Sequence, residues 1–199
     1  MRYLGYFVVG ICILVGVCFW IAFTAYRSFT IPSSSMAPNL QAGDYILVER
    51  FRTSLHAPLQ RGDVVSFSHS GQIFVKRIIG LPGDLVALKT GRVELNGVFF
   101  DIESSSEEFE VLGASAKVQV ETLPSGKSYR VLDMVESSIA DNVSERKVPA
   151  DHYFLLGDNR DNSDDSRFRL GFLAGENVLG KVRFILWNTE GKSIKDRVF

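Results

Sequence analysis

Three separated runs carry the chemistry open to this chain. The first, Ile31-Pro32-Ser33-Ser34-Ser35-Met36-Ala37-Pro38, sets hydroxyls between two prolines. Proline fixes its own φ and drives the preceding residue out of the helical region, so this run is a stiff loop that can hold one hydroxyl in place. A serine hydroxyl attacks a carbonyl only when a base takes its proton. By itself the run fits an ordinary turn as well as a nucleophile. The second run is Ile73-Phe74-Val75-Lys76-Arg77-Ile78-Ile79. As a strand it places Phe74, Lys76 and Ile78 on one face and Val75 and Arg77 on the other. Desolvation among apolar neighbours would lower the lysine pKa and leave an amine able to accept the serine proton. The bland alternative is a lysine whose methylenes cover the sheet while its ammonium stays in water. Arg77 reads as a surface charge.

The third run, Gly157 to Arg167, packs Asp158, Asn159, Arg160, Asp161, Asn162, Ser163, Asp164, Asp165, Ser166 and Arg167 directly after Tyr153-Phe154-Leu155-Leu156. It is too polar for a buried strand. Asp-Arg pairs and side-chain-to-backbone hydrogen bonds would hold it as a support loop, and Ser163 could orient an amine. Alternating carboxylate and amide oxygens also suit calcium, but two arginines oppose a dense cation site and the spacing is not that of an EF-hand.

The elements that must position these runs are short strands. Tyr45–Val48, Val64–Phe67, Ile73–Ile79, Leu85–Leu88, Val93–Leu95, Lys117–Val120, Tyr153–Leu156 and Val182–Trp187 are rich in Val, Ile, Phe and Tyr. Gly43-Asp44, Gly62-Asp63, Pro82-Gly83-Asp84, Thr90-Gly91 and Asn96-Gly97 mark turns between them. A mainly β, mostly antiparallel fold follows. From Asp101 to Arg146 the composition shifts to an acidic cluster at Glu107, Glu108 and Glu110 and then to mixed polar sequence, which reads as an inserted subdomain or long excursion.

Ahead of the strands, Tyr3 to Tyr26 carries no charged side chain. As a helix it would extend about 36 Å, enough to cross a hydrocarbon core of about 30 Å. It is longer than the apolar core of a cleavable secretory signal, which favours a retained anchor. Arg2 and Arg27 flank it on opposite sides, so charge bias says little about orientation. Both cysteines, Cys12 and Cys18, fall inside the run, leaving the polar part without a disulfide or thiolate ligand. A formal net charge of -1 argues against a nucleic-acid partner. His56, His69 and His152 have no metal-ligand spacing, and no nucleophile elbow supports a Ser-His-Asp triad.

Taken together and in order, the apolar run, Ser35-Met36-Ala37-Pro38-Asn39-Leu40, Lys76-Arg77 with Gly80-Leu81-Pro82-Gly83-Asp84, and Gly157-Asp158-Asn159-Arg160-Asp161-Asn162-Ser163 with Asp165-Ser166-Arg167 resemble the type I signal peptidases, membrane-anchored Ser-Lys proteases. Asn39 stands where that family usually has threonine or a similar residue. The resemblance implies Ser35 as nucleophile and Lys76 as general base. It implies Ser33 as the side-chain donor of an oxyanion hole and Ser163 as the group orienting the lysine. Asp158, Asp165 and Arg167 are implied as structural support, and Phe29, Ile31, Pro32, Phe74 and Val75 as walls of pockets for the small residues before the cut.

It further implies a catalytic core of two antiparallel sheets with an inserted smaller subdomain, divided as 1–27 (anchor), 28–100 (core, first part), 101–146 (insert) and 147–199 (core, second part). The expected enzyme needs no cofactor and no metal. It acts on secretory preproteins with small-x-small cleavage sites, from the outer side of the bacterial cytoplasmic membrane, in contact with the bilayer and near the export machinery. Two other readings stand beside it: a specialised Ser-Lys peptidase maturing one pilin or conjugation protein, and a noncatalytic anchored binding or assembly protein.

Overall fold

The computed structural model describes residues 2–51, 58–111, 113–135 and 138–187. A helix, α1 (Arg2–Ala25), runs into β1 (Tyr26–Thr30) with no linker between them. There follow β2 (Tyr45–Arg50), β3 (Val64–His69), β4 (Gln72–Gly80), β5 (Leu85–Lys89), β6 (Arg92–Leu95) and β7 (Val98–Phe99). The remainder comprises β8 (Asp101–Val111), β9 (Ala114–Thr122), β10 (Ser128–Asp133), β11 (Val143–Lys147), β12 (His152–Leu156), β13 (Leu173–Ala174) and β14 (Val178–Trp187). Every strand expected from the sequence is present, and the β-rich antiparallel class is as expected. Among the described residues no helix is long and apolar enough to cross a membrane.

Three turns share one construction, and it explains why Gly-Asp recurs. In Gln41–Asp44, Gln60–Asp63 and Leu81–Asp84 the aspartate carboxylate accepts the backbone N–H three residues earlier, at 2.8, 3.0 and 2.7 Å. The aspartate N–H returns a bond to the carbonyl of that same residue. The chain closes only because the glycine between takes a φ of 83–90°, a region that β-carbons disfavour.

The strands form sheets in the orders β1-β2-β14-β3-β4-β12-β13, β11-β5-β6-β7 and β10-β9-β8. β1 is an edge strand of the seven-stranded sheet. β12 pairs with β4 only from Arg77 to Gly80, which leaves the Gln72–Lys76 edge of β4 open on that side. The sheets of seven and four strands form the core, and the three-stranded sheet belongs to residues 101–133. That last sheet is no detached excursion. Tyr129 and Val131 of β10 are buried with Val86 and Leu88 of β5, Ile79 of β4 and Phe154 of β12 in one cluster. Ala37, beside the serines, is buried with Val118 and Leu132 of the same sheet. A second cluster, including Ile31, Met36, Leu40, Ile46 and Val182, underlies the serine loop.

Candidate active site

Alternation along β4 sends its two adjacent cations in opposite directions. Lys76, 2% exposed, donates from Nζ to Ser35 Oγ at 2.6 Å. Burial pushes its pKa down to about 8; Asp165, Asp158 and Asp164 pull the other way, and Arg167 adds to the lowering. A lysine in this setting is neutral in a useful fraction near neutral pH.

Arg77 is where the sequence reading needs correction. Rather than a surface charge, it is fully buried. Its Nε and a terminal nitrogen donate to the two carboxylate oxygens of Asp158, each at 2.7 Å. The remaining nitrogen donates to the Gly62 carbonyl at 2.9 Å, and the guanidinium lies 4.0 Å from the Tyr129 ring centroid. A guanidinium can be buried here because the carboxylate, a carbonyl and a π face replace its water.

The serine loop is held from the third run. Asn159 N–H donates to the Ser35 carbonyl at 3.1 Å, Asn159 Nδ2 to the Ser34 carbonyl at 3.3 Å, and Asn162 Nδ2 to Ser34 Oγ at 2.9 Å. Asn39 Nδ2 bridges Asp158 Oδ2 and the Arg130 carbonyl, both at 2.7 Å. Asn39 thus ties the serine loop to the Arg77–Asp158 pair and to β10. Gly157 makes the close approach possible, since a β-carbon there would fall 2.6 Å from the Ser35 carbonyl oxygen and 2.2 Å from Ser163 Oγ.

Asp165 accepts the Gly157 N–H at 3.0 Å and two Arg167 guanidinium bonds at 2.9 Å. Of the acidic residues in the third run, Asp158 and Asp165 are thus each held by an arginine, and Asp165 by a backbone donor as well. Ser33 Oγ lies 3.3 Å from Ser35 Oγ. Ser163 Oγ is buried against Gly157 and makes no hydrogen bond, so the expected bond to Lys76 is not formed. His69 packs edge-on to Phe74, and His152 Nδ1 lies 2.8 Å from the Ala150 carbonyl; neither is a hydrogen-bond partner of Ser35. His56 lies outside the described residues.

Sequence reasoning missed a buried network between the insert and the third run. Glu121, with no exposed surface, receives both terminal nitrogens of Arg160 and the Tyr129 hydroxyl. Burial, with the adjacent carboxylate second, holds the Tyr129 phenol well above its ordinary range. Leu132 N–H donates to the Asp158 carbonyl and Arg160 N–H to the Leu132 carbonyl, both at 2.9 Å. β10 therefore props up the third run along its length. Nothing in sequence marks Glu121 apart from a surface acid, because its charged partner lies 39 residues away; two cations side by side in an apolar strand were the available signal for Arg77.

A cleft of about 540 Å³ adjoins the pair, walled by Phe29, Ile31, Pro32, Phe74 and Val75, with Ser33, Ser35 and Lys76 also lining it. An open cleft ending on a serine hydroxyl that is bonded to a buried, pKa-lowered amine has the geometry of a Ser-Lys hydrolase site. The chain belongs to the family described as signal peptidase, peptidase S26, whose model matches residues 4–187. It is 38% identical over 192 residues to a signal peptidase I of Pseudomonas fluorescens and 35% identical over 183 residues to one of Pseudomonas aeruginosa. Each match covers 80% of this chain, and the chain spans 63% of the length of either relative. A solved signal peptidase I of Enterococcus faecalis aligns with 65% of this chain and 100% of its own at 30% identity, with a TM-score of 0.40, too loose an overlay to bear on the fold.

Proposed function

We propose that this chain is a membrane-anchored serine endopeptidase that removes N-terminal signal peptides from exported preproteins. The observation that carries the reading is the 2.6 Å contact of Lys76 Nζ with Ser35 Oγ in a site where burial brings the amine to about pKa 8. With Lys76 neutral, the hydrogen bond reverses and the hydroxyl donates. The amine takes that proton as Ser35 Oγ attacks the scissile carbonyl carbon. The Ser33 hydroxyl and the Ser35 N–H would stabilise the developing oxyanion, at roughly 2.7 to 4 kcal/mol per donor. The resulting ammonium protonates the departing amine, and water hydrolyses the acyl-enzyme with Lys76 again as base. Ser163 is assigned to orienting the lysine, which requires its hydroxyl to turn from its present unpaired position.

The open edges of β1 and β4 suit an extended peptide laid between them, with main-chain hydrogen bonds for affinity and side-chain pockets for selection. Phe29, Ile31, Pro32, Phe74 and Val75 leave room for small side chains, consistent with small-x-small sites. The anchor reading rests on the uncharged run from Tyr3 to Tyr26 in the sequence. The catalytic part then faces the outer side of the bacterial cytoplasmic membrane, near the export machinery and the bilayer. Direct passage of α1 into β1 keeps Ser35 close to that interface.

The test is purification in detergent with matched Ser35→Ala and Lys76→Ala variants, followed by incubation with a panel of preproteins. Cleavage after small-x-small sites, lost in both variants, is expected; retention of cleavage by Lys76→Ala would overturn the mechanism. No specific observation favours a pilin-specific or noncatalytic role, and a binding module has no use for a lysine buried on a serine hydroxyl.

A further inference from the structure

Phe29, a wall of the cleft, also lines a second cavity of about 410 Å³. Its lining includes Arg27, Arg50 and Glu176. Arg27 lies on the same face of β1 as Phe29 and Ile31, and its guanidinium is 5.4 Å from the Phe29 ring centroid. Arg50 enters from β2, on the same face as Val48, which also lines the cavity. Among the described residues neither arginine is in an ion pair with a carboxylate. Glu176 offsets one positive charge, and the cavity retains a cationic excess.

We infer that this cavity is an extended specificity site, which selects by charge the preprotein residues lying several positions before the cut, favouring carboxylates there and disfavouring Lys and Arg. The inference rests on the proposed function, because the residues before the cut must occupy the cleft along β1. Ile31 stands at the start of the serine loop, and Arg27 is four residues earlier, within edge strand β1. An extended peptide advances about 3.3 Å per residue, so the segment facing Arg27 and Arg50 is about four to six residues upstream of the scissile bond. The apolar part of the cleft reads the small residues at the cut. The cationic end reads the polar stretch that precedes them.

The experiment uses the full chain in detergent and three preproteins identical except for Asp, Ser or Lys at positions four to six before the cut. The expected kcat/KM ratio of Asp to Lys substrate is about five- to tenfold at low salt and shrinks as salt rises, since these charges are partly exposed. In Arg27→Glu/Arg50→Glu the order inverts, and in Arg50→Gln the ratio is intermediate; a ratio within one enzyme is independent of how much of it is folded. A ratio near one in the unmodified enzyme, or one unchanged in the variants, would overturn the inference while leaving the peptidase reading intact. Failure to cleave any of the three would sink the peptidase reading and this inference with it. Flotation with vesicles of phosphatidylglycerol or phosphatidylcholine is run alongside. Anionic-vesicle binding that is lost in the variants, with no charge preference among substrates, would assign the arginines to lipid and likewise overturn the inference.

Discussion

Arg77 and Asp158 meet as a fork on fork, two 2.7 Å hydrogen bonds between groups that are 0% and 1% exposed. Because Arg77 is the neighbour of Lys76 and Asp158 lies in the third run, this pair fixes the strand that carries the amine against the loop that holds the serine. Removing one partner leaves a buried charge alone. Arg77→Met or Asp158→Asn is expected to cost about 3 to 5 kcal/mol. Arg77→Lys should recover little, since an ammonium cannot bridge both oxygens and stack on Tyr129. Urea unfolding in detergent checks this; a loss below about 1 kcal/mol for Arg77→Met would contradict it.

Catalysis should follow the protonation state of Lys76. With its pKa near 8, kcat/KM is expected to rise about tenfold per pH unit below pH 8 and level off above it. A pH–rate profile is the check.

The same lowered pKa makes Lys76 a stability liability. An unfolded lysine titrates near 10.5 and the folded one near 8, so between these values the unfolded chain binds more protons and stability rises with pH. Below pH 8 the full penalty of burying the ammonium applies, about 3 kcal/mol. Lys76→Met should therefore melt higher than the unmodified protein at pH 7 while losing activity, and its advantage should narrow as pH approaches 10.5.

Ser33→Ala and Ser163→Ala should separate chemistry from folding. The Ser33 hydroxyl is exposed beside Ser35, and its loss is expected to lower kcat by about 10²- to 10³-fold with little change in melting temperature. Ser163 carries a buried hydroxyl without a partner, so alanine there should leave stability unchanged or raise it. A fall in activity, with the pH profile displaced, would mark it as the group positioning Lys76.

Asp133 gives the opposite pH dependence. Burial first, and then the facing carboxylates of Asp161 and Asp141, raise its pKa to about 6 against the pull of Arg160. Between pH 4 and 6 the folded chain therefore holds the extra proton, and stability falls as pH rises through 6. Asp133→Asn, which keeps a donor toward Asp161, should raise the melting temperature at pH 7 and make no difference below pH 4. Thermal melts across that range test it.

Much of the site was legible because its residues depend on local rules. Prolines around the serines, β alternation at Lys76 and the Gly-Asp turns are read within a few residues, and the spacing of three ordered runs gave the family. Arg77, Asn39, Glu121, Tyr129 and Arg160 were not legible as site residues. Each is polar, and a polar residue in a strand is by default solvent-facing until its partner is known. Apart from the Tyr129–Glu121 bond, eight residues apart, their partners lie tens of residues away in sequence, so only folding could reveal that the segment from 101 to 146 braces the serine loop.

The linear order of residues determined which groups could react, where the chain would turn and that an apolar stretch precedes a β domain, because those properties come from side-chain chemistry and nearest-neighbour sterics. Tertiary structure decided that Lys76 is buried against Ser35 while Arg77 is consumed by Asp158, and that β10 supports the third run. Desolvation and long-range hydrogen bonding are properties of an enclosed volume, and a volume exists only once distant strands have packed around it.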